Sequence, residues 1–167
     1  MVDGTSPERP VSGDAARAIA WGDELRAVHR RLRDALELAR ESLEGTDPPG
    51  DPTADLLIYC RGFCAALDGH HRSEDSALFP EIVAARPDLE PVIANLRRDH
   101  SMIDHLIQGL RAAMDRGLST EEQIRHLDGI EAVMETHFGY EERQLIAVLD
   151  AVVGGSADRK TLFGAIA

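Results

Sequence analysis

The apolar residues of this chain recur at alternating steps of three and four positions in four long stretches, separated by short segments rich in glycine and proline. This spacing places the apolar side chains on one face of an α-helix and is typical of helices that share a core. The four predicted helices run from about Asp14 to Leu43, from Asp51 to about Leu78, from about Asp88 to Arg116, and from Ser119 to Val153.

Residues with special backbone properties mark the ends of these helices. Asp51 is a candidate N-cap followed by Pro52 at the first helical position, and Ser119 is expected to form a capping box with Glu122. Pro80 is expected to break or kink the second helix. The other predicted helix ends lie near Gly45, Gly117 and the pair Gly154-Gly155.

These elements predict an all-α protein, in which residues 14–153 form one up-down-up-down four-helix bundle. Residues 1–13 are polar and contain several prolines and glycines, so they are expected to form a disordered leader. The tail, residues 154–167, is expected either to dock its apolar end on the bundle or to fray.

Each predicted helix carries one histidine in its apolar stripe, at a position where leucine or isoleucine would be expected. In the second helix the stripe consists of Leu56, Tyr59, Phe63, Ala66, His70 and Glu74. Counted from the predicted helix ends at about 1.5 Å per residue, the four histidines lie at a similar depth in an antiparallel bundle. These residues are His29, His70, His100 and His137.

Two of these histidines are followed one helical turn later by a glutamate, as His70-xxx-Glu74 and His137-xxx-Glu141. A single core histidine is usually a structural residue held by hydrogen bonds. An isolated buried glutamate, however, is costly unless it is paired or bound to a cation. Four imidazoles and two carboxylates at one depth therefore favour a metal site in the core over a purely structural polar cluster.

The mixture of nitrogen and oxygen ligands favours iron over zinc. Structural zinc sites are four-coordinate and often use cysteine, whereas six or more N/O ligands suit two octahedral ions bridged by carboxylates. Cys60 and Cys64, spaced i, i+4, would form a disulfide only with strain and are interpreted as buried thiols rather than a redox pair. The Glu-xx-His motif of ferritin-like bundles is absent here, because the order is His-xxx-Glu.

That reversed motif resembles the hemerythrin-like, HHE cation-binding family. The resemblance rests on His29 and on the segments HHRSEDSALFP (70–80), DHSMID (99–104) and HFGYEERQL (137–145), and it covers about residues 20–153. It implies a four-helix bundle that holds two iron ions, bridged by an oxo or hydroxo group, and that meets O2 or related small oxidants. It also implies that His29, His70, His100 and His137 are terminal ligands and that Glu74 and Glu141 are bridging carboxylates.

The chain departs from the oxygen-carrying members of that family at two positions. Where they have a second histidine one turn after the third-helix histidine, this sequence has Asp104. Where they have an aspartate five residues after the last histidine, this sequence has Glu141 at four residues and Glu142 at five. Four histidines and two bridging glutamates fill about eight of the roughly twelve positions of two octahedral ions. With a bridging oxo or hydroxo group, about two would stay open, which would favour redox chemistry over reversible O2 storage.

Asp104 and His71 are possible additional ligands, and either would reduce the open positions to about one. His71 is turned by about 100° from the predicted site face of its helix. Together with Asp75, four residues later, it is interpreted as a pair that faces solvent or an interface.

Composition and charge limit the remaining possibilities. The chain has 167 residues, 43% of them hydrophobic, which suits one domain with a sizeable core. Its net charge of −12 makes nucleic acid and anionic membrane poor partners. The sequence lacks the apolar segment of a signal peptide and any apolar run that is long enough to span a membrane, so a cytoplasmic location is expected.

The sequence therefore predicts a non-heme di-iron protein that binds or reacts with O2, peroxide or NO. It could be a small oxidoreductase that consumes the oxidant, with no catalytic residue beyond the metal ligands. Alternatives are a reversible carrier or a sensor of O2 or NO that acts through a partner, and an iron-homeostasis protein in which metal loading itself changes the fold. The electron donor and any protein partner stay open.

Overall fold

The computed structural model describes residues 20–45, 52–153 and 157–167. In this part of the chain every regular element is helical, which confirms the all-α fold class. The elements are α1 (Trp21–Glu44), α2 (Pro52–Ser73), a π-helical turn (Glu74–Leu78), α3 (Phe79–Ala85), a 3-10 turn (Pro87–Leu89), α4 (Glu90–Asp115), α5 (Thr120–Val152) and α6 (Arg159–Phe163).

The long helices pack side by side around one apolar core. Helix α5 packs against α1 and α4, and α2 packs against α1, α4 and the short C-terminal helix α6. The core consists mainly of leucine and isoleucine, with Phe63, Phe79, Phe138 and Phe163 as its largest fully buried side chains. None of the helices in the described residues is both long and apolar enough to cross a membrane.

The helix boundaries follow local sequence signals closely at most ends. The predicted capping box is present at the start of α5, where Ser119 Oγ accepts from the Glu122 N–H at 3.3 Å and Glu122 Oε2 accepts from the Ser119 N–H at 3.1 Å. Gly117, with φ of 64°, ends the preceding helix in the left-handed conformation. The predicted leader, residues 1–13, the cap at Asp51 and the pair Gly154-Gly155 lie outside the described residues.

Two predicted boundaries need correction. Helix α1 begins at Trp21, because Ala20, with φ −72° and ψ 89°, is not helical, and the predicted start at Asp14 lies outside the described residues. The second predicted helix does not break at Pro80; instead, it widens into the π-helical turn just before it. Pro80 has no N–H, and in a regular α-helix a proline clashes with the carbonyl four residues earlier. In the π-helical turn before it, the Phe79 N–H bonds the carbonyl of Glu74, five residues earlier.

Removing the capping box tests how much this local signal contributes to stability. We expect Ser119→Ala to lower the free energy of unfolding by about 1 kcal/mol, because the Glu122 N–H loses its acceptor. Urea denaturation measures the difference. Ser101→Ala is the matched control, since the Ser101 hydroxyl only bonds a carbonyl within its own helix and its removal should cost about 0.5 kcal/mol at most. Equal losses in both variants would contradict this interpretation.

Candidate metal centre

Seven polar or charged side chains meet in the core, and none of them is more than 5% exposed. Helix α1 contributes one of them, α2 two, the π-helical turn one, α4 one and α5 two. They are His29, His70, His71, Glu74, His100, His137 and Glu141. A π-helical turn inside a helix often marks a functional site, and here its first residue is one of the two buried glutamates.

The seven side chains form two groups. In the first group, ligand atoms of His29, His70, Glu74 and Glu141 all lie within 4.8 Å of one another. The second group brings together His71, His100 and His137 by the same measure.

Both glutamates belong to the first group, but each also lies close to a histidine of the second group. Glu74 has one oxygen 3.3 Å from His70 Nε2 and the other 3.5 Å from His100 Nε2. Glu141 Oε2 lies 3.2 Å from His29 Nε2 and 3.9 Å from His137 Nε2. A carboxylate that reaches both groups has the arrangement required of a ligand that bridges two metal ions.

Nε2 of His100 and Nε2 of His137 contact each other at 3.1 Å, but seven other atoms of the cluster that could bind a metal lack hydrogen-bond partners among the described residues. These atoms are Nε2 of His29, His70 and His71 and both carboxylate oxygens of Glu74 and Glu141. A buried polar atom without a partner costs about 1–3 kcal/mol, so seven of them together are a poor core. Cations at these positions would satisfy them, and the donor set of imidazole nitrogen and carboxylate oxygen suits iron.

A second layer of groups surrounds the outer ring nitrogens and holds two of them by hydrogen bonds. His29 Nδ1 lies 2.8 Å from Glu142, and His70 Nδ1 lies 3.1 Å from the Phe163 carbonyl oxygen. Two further outer nitrogens lie near carboxylates without a hydrogen bond, His100 Nδ1 at 3.1 Å from Asp75 and His137 Nδ1 at 3.5 Å from Asp99. At His29 and His70, an acceptor at Nδ1 places a proton there and directs Nε2 toward the interior of the cluster, where its lone pair could bind a metal.

Burial also controls protonation in the metal-free cluster. Desolvation lowers the pKa of His70 to about 3 and that of His71 well below its usual value, so both rings are neutral and able to act as ligands. Desolvation and the nearby Glu141 raise the pKa of Glu74 well above its usual value. For His29, contacts with Glu141 and Glu142 outweigh desolvation and raise its pKa.

The structure corrects the interpretation of His71 as part of a pair with Asp75 that faces solvent or an interface. His71 is 5% exposed, and its ring stacks on that of His100 with centroids 4.0 Å apart. Asp75 faces His100 Nδ1 rather than His71. The offset of about 100° between adjacent helical residues directs His70 to one group and His71 to the other, because α2 packs against both α1 and α4.

Asp104, the other possible additional ligand, lies outside both groups. Its carboxylate accepts a hydrogen bond from Gln108 at 2.7 Å on the same helix. It lines a cavity of about 200 Å³ that lies beside His71 and His100. The fifth imidazole of the cluster therefore comes from α2 rather than from the turn that follows His100.

Aromatic rings cover the cluster. Phe138 stacks on His29 with centroids 3.8 Å apart, and Phe79 lies against the ring of His100 at 5.5 Å. Both phenylalanines are fully buried. Such packing restricts the imidazole orientations and keeps water away from the ring faces that it covers.

Replacing Glu142 tests the second layer. We expect Glu142→Gln to weaken metal binding by about tenfold or somewhat more, since an amide oxygen is a poorer partner than a carboxylate for His29 Nδ1. The measurement is an anaerobic Fe(II) titration. Glu135→Gln is the control, because both glutamates contact Arg33 but only Glu142 contacts His29. An unchanged affinity in Glu142→Gln would show that this contact does not tune the site.

Together, the fold and the cluster define a helical bundle whose core holds His and Glu groups that could bind a cation. The family model described as the Hemerythrin HHE cation binding domain matches residues 22–149, and the chain belongs to this family. Comparisons with curated proteins and with solved structures gave no match.

Proposed function

We propose that this chain is a non-heme di-iron protein that binds or reacts with O2, peroxide or NO at a carboxylate-bridged site. One observation carries the proposal: two groups of buried imidazoles share two buried glutamates whose oxygens have no other partner among the described residues. Membership of a cation-binding family supports the same conclusion. When bound, iron would supply the redox chemistry that the side chains of the cluster lack.

From the donor set we propose a role for each side chain. His29 and His70 would be terminal ligands of one ion, and His71, His100 and His137 of the other, while Glu74 and Glu141 would bridge the two ions. Zinc bound by thiolate does not fit, because Cys60 lies ten residues before His70, about 15 Å along α2. Burial also raises the pKa of Cys64 to about 11, which disfavours its thiolate.

Counting His71 changes the expected number of open ligand positions. Five imidazoles and two bridging carboxylates fill about nine of the roughly twelve positions of two octahedral ions. A bridging oxo or hydroxo group would take about two more, which leaves about one for a small molecule. Two open positions were the reason to favour redox chemistry over reversible O2 storage, and with His71 counted only about one is left. Reversible uptake of O2 or NO is therefore a second candidate function beside consumption of the oxidant.

The protein environment would control access to the site. Phe138 and Phe79 exclude water from the imidazoles they cover, whereas the cavity beside His71 and His100 offers a path for a small neutral molecule. Asp75 and Asp104 line this cavity, so it is more polar than the covered side. No further buried carboxylate or histidine stands ready as an acid or base in the described residues, so proton transfer would fall to the ligands' outer partners.

An optical experiment tests the proposal and separates the two candidates. The reduced protein is loaded with Fe(II) without air, its iron content is measured, and its visible spectrum is followed while O2 is admitted and then removed. Two irons per chain and a charge-transfer band that disappears on deoxygenation would indicate a carrier or sensor. Two irons and rapid, irreversible oxidation would indicate a redox protein, to be assayed with peroxide and NO. Failure to retain two irons would overturn the proposal.

A further inference from the structure

The C-terminal segment, residues 157–167, lies outside the part of the chain that matches the family model, yet it contacts a histidine of the buried cluster directly. Phe163 is the last residue of α6, where a backbone carbonyl has no partner within the helix. That carbonyl oxygen lies 3.1 Å from His70 Nδ1. The other outer nitrogen with a hydrogen bond described above, His29 Nδ1, contacts a side-chain carboxylate, whereas the partner of His70 Nδ1 is a backbone carbonyl.

Apolar packing holds this segment on the bundle. Leu162 and Phe163 are 1% and 0% exposed, and the Phe163 ring lies 6.1 Å from that of Trp21 in α1. Their burial is worth about 1.5–3 kcal/mol for each side chain. The segment is therefore part of the core rather than a frayed end.

Polar contacts fix both ends of the segment. Asp158 caps α6 by accepting from the Thr161 N–H at 3.0 Å. Arg159 pairs with Glu24 at 3.0 Å, and Arg31 donates to the Ile166 carbonyl at 3.1 Å. These contacts join the segment to α1 on either side of Phe163, and so set where its carbonyl lies.

Gly164 permits the close approach between the segment and α2. Its φ of 86° is rare for other residues, and an added Cβ would lie 3.0 Å from the Gly69 carbonyl carbon and oxygen and 3.1 Å from the His70 backbone nitrogen. These neighbours are backbone atoms of α2, which cannot rotate away. A side chain at position 164 would therefore push the Phe163 carbonyl away from His70.

We infer that residues 157–167 are a positioning element of the metal centre, which holds His70 with its proton on Nδ1 and its Nε2 toward Glu74. A carbonyl oxygen can only accept a hydrogen bond, so this contact permits one neutral form of His70, the form whose Nε2 can bind a metal. The inference rests on the proposed function. It follows that docking of the segment and metal binding by the His29–His70 group stabilise each other.

The first test compares two glycine substitutions in the full chain. Gly164→Ala should weaken binding of one of the two Fe(II) ions by about ten- to a hundredfold in an anaerobic titration. Gly117→Ala is the matched control, because Gly117 also has a positive φ, of 64°, but an added Cβ there meets no atom within 4 Å. It should lose stability yet bind both ions with wild-type affinity. Equal affinities in Gly164→Ala and the wild type would overturn the inference.

A spectroscopic readout separates positioning from general destabilisation. After oxidation, a coupled pair of ferric ions gives no EPR signal at low temperature, whereas a single high-spin ferric ion does. At an iron level that fills both positions in the wild type, Gly164→Ala should show the single-ion signal and Gly117→Ala should not. The same silent spectrum in both variants would contradict the inference.

Hydrogen exchange of the wild-type chain provides a test that does not depend on a variant folding. If docking and metal binding are coupled, Fe(II) should slow amide exchange in residues 161–164 as well as around the ligands. Unchanged exchange in the segment, with clear protection around His70, would overturn the coupling while leaving the proposed function intact. A wild-type chain that does not bind two ions would instead contradict the proposed function itself.

Discussion

Replacing Glu74 by glutamine is expected to weaken iron binding while it stabilises the metal-free protein. Glu74 reaches both imidazole groups with its two oxygens, so the neutral amide would remove a bridging ligand shared by both ions. Loss of an outer partner costs about ten- to a hundredfold in metal affinity, and loss of a ligand should cost a hundredfold or more.

The metal-free protein should respond in the opposite direction because Glu74 is buried without a hydrogen-bond partner. Its pKa is raised, chiefly by desolvation, so folding requires burial of the charge or uptake of a proton at neutral pH. Glutamine carries no charge, and we expect a gain of about 1–3 kcal/mol in the free energy of unfolding at pH 7. The gain should shrink as the pH falls toward the usual carboxyl pKa of 4.5, where the unfolded chain is also protonated.

An Fe(II) titration and urea denaturation of the metal-free protein, at pH 7 and near pH 4.5, measure the two effects. Glu121→Gln is the control, because the Glu121 side chain is 78% exposed and lies about 20 residues, or roughly 30 Å, from Glu141 along the same helix. A metal-free variant that is less stable than the wild type would identify Glu74 as a structural residue. Wild-type affinity for both ions would rule out its bridging role.

The helices and the depth of the four stripe histidines could be predicted because they depend on local rules. A period of 3.6 residues, a capping box at Ser119 and a glycine at position 117 act within one or two turns of the chain. The response to Pro80 was harder to predict. A helix can break, bend or widen before a proline, and the choice depends on what packs around that turn.

The position of His71 was missed because the predicted stripe on α2 was too narrow. That stripe included Tyr59, which is 48% exposed in the structure. A second series with the same steps of four and three was present in the sequence, and all of its members are buried: Cys60, Cys64, Leu67, His71, Glu74 and Leu78. A helix that contacts two neighbours buries a face wide enough for both series.

The second layer of the site could not be read from the sequence at all. Asp75, Asp99 and Glu142 are ordinary acidic residues on helices, and their pairing with imidazoles depends on how the helices are rotated. The Phe163 carbonyl carries no sequence signal, since every residue has one. Only the tertiary position of α6 distinguishes it.

The second large effect is expected for His71→Leu, which should reduce the iron content from two ions toward one. The ring of His71 stacks on that of His100, and one of its ring nitrogens lies within the group completed by His137. Leucine removes one of the three imidazoles of this group. Because losing only an outer partner of a ligand lowers metal affinity by about ten- to a hundredfold, losing the ligand itself should weaken binding of the ion at this group by a hundredfold or more. Iron analysis after gel filtration and the EPR spectrum of the oxidised protein measure the loss.

Asp104→Asn is the matched comparison, because Asp104 lines the same cavity as His71 but stands outside both imidazole groups. It should keep both ions and the silent spectrum of a coupled pair. The reverse result, with iron lost in Asp104→Asn and retained in His71→Leu, would restore Asp104 as the additional ligand.

A double variant tests whether the two groups bind their ions separately. His71 belongs to the group with His100 and His137, whereas Gly164 acts on the group that contains His70. His71→Leu combined with Gly164→Ala should therefore abolish tight binding of both ions. Retention of one tightly bound ion in the double variant would show that the two changes affect the same position.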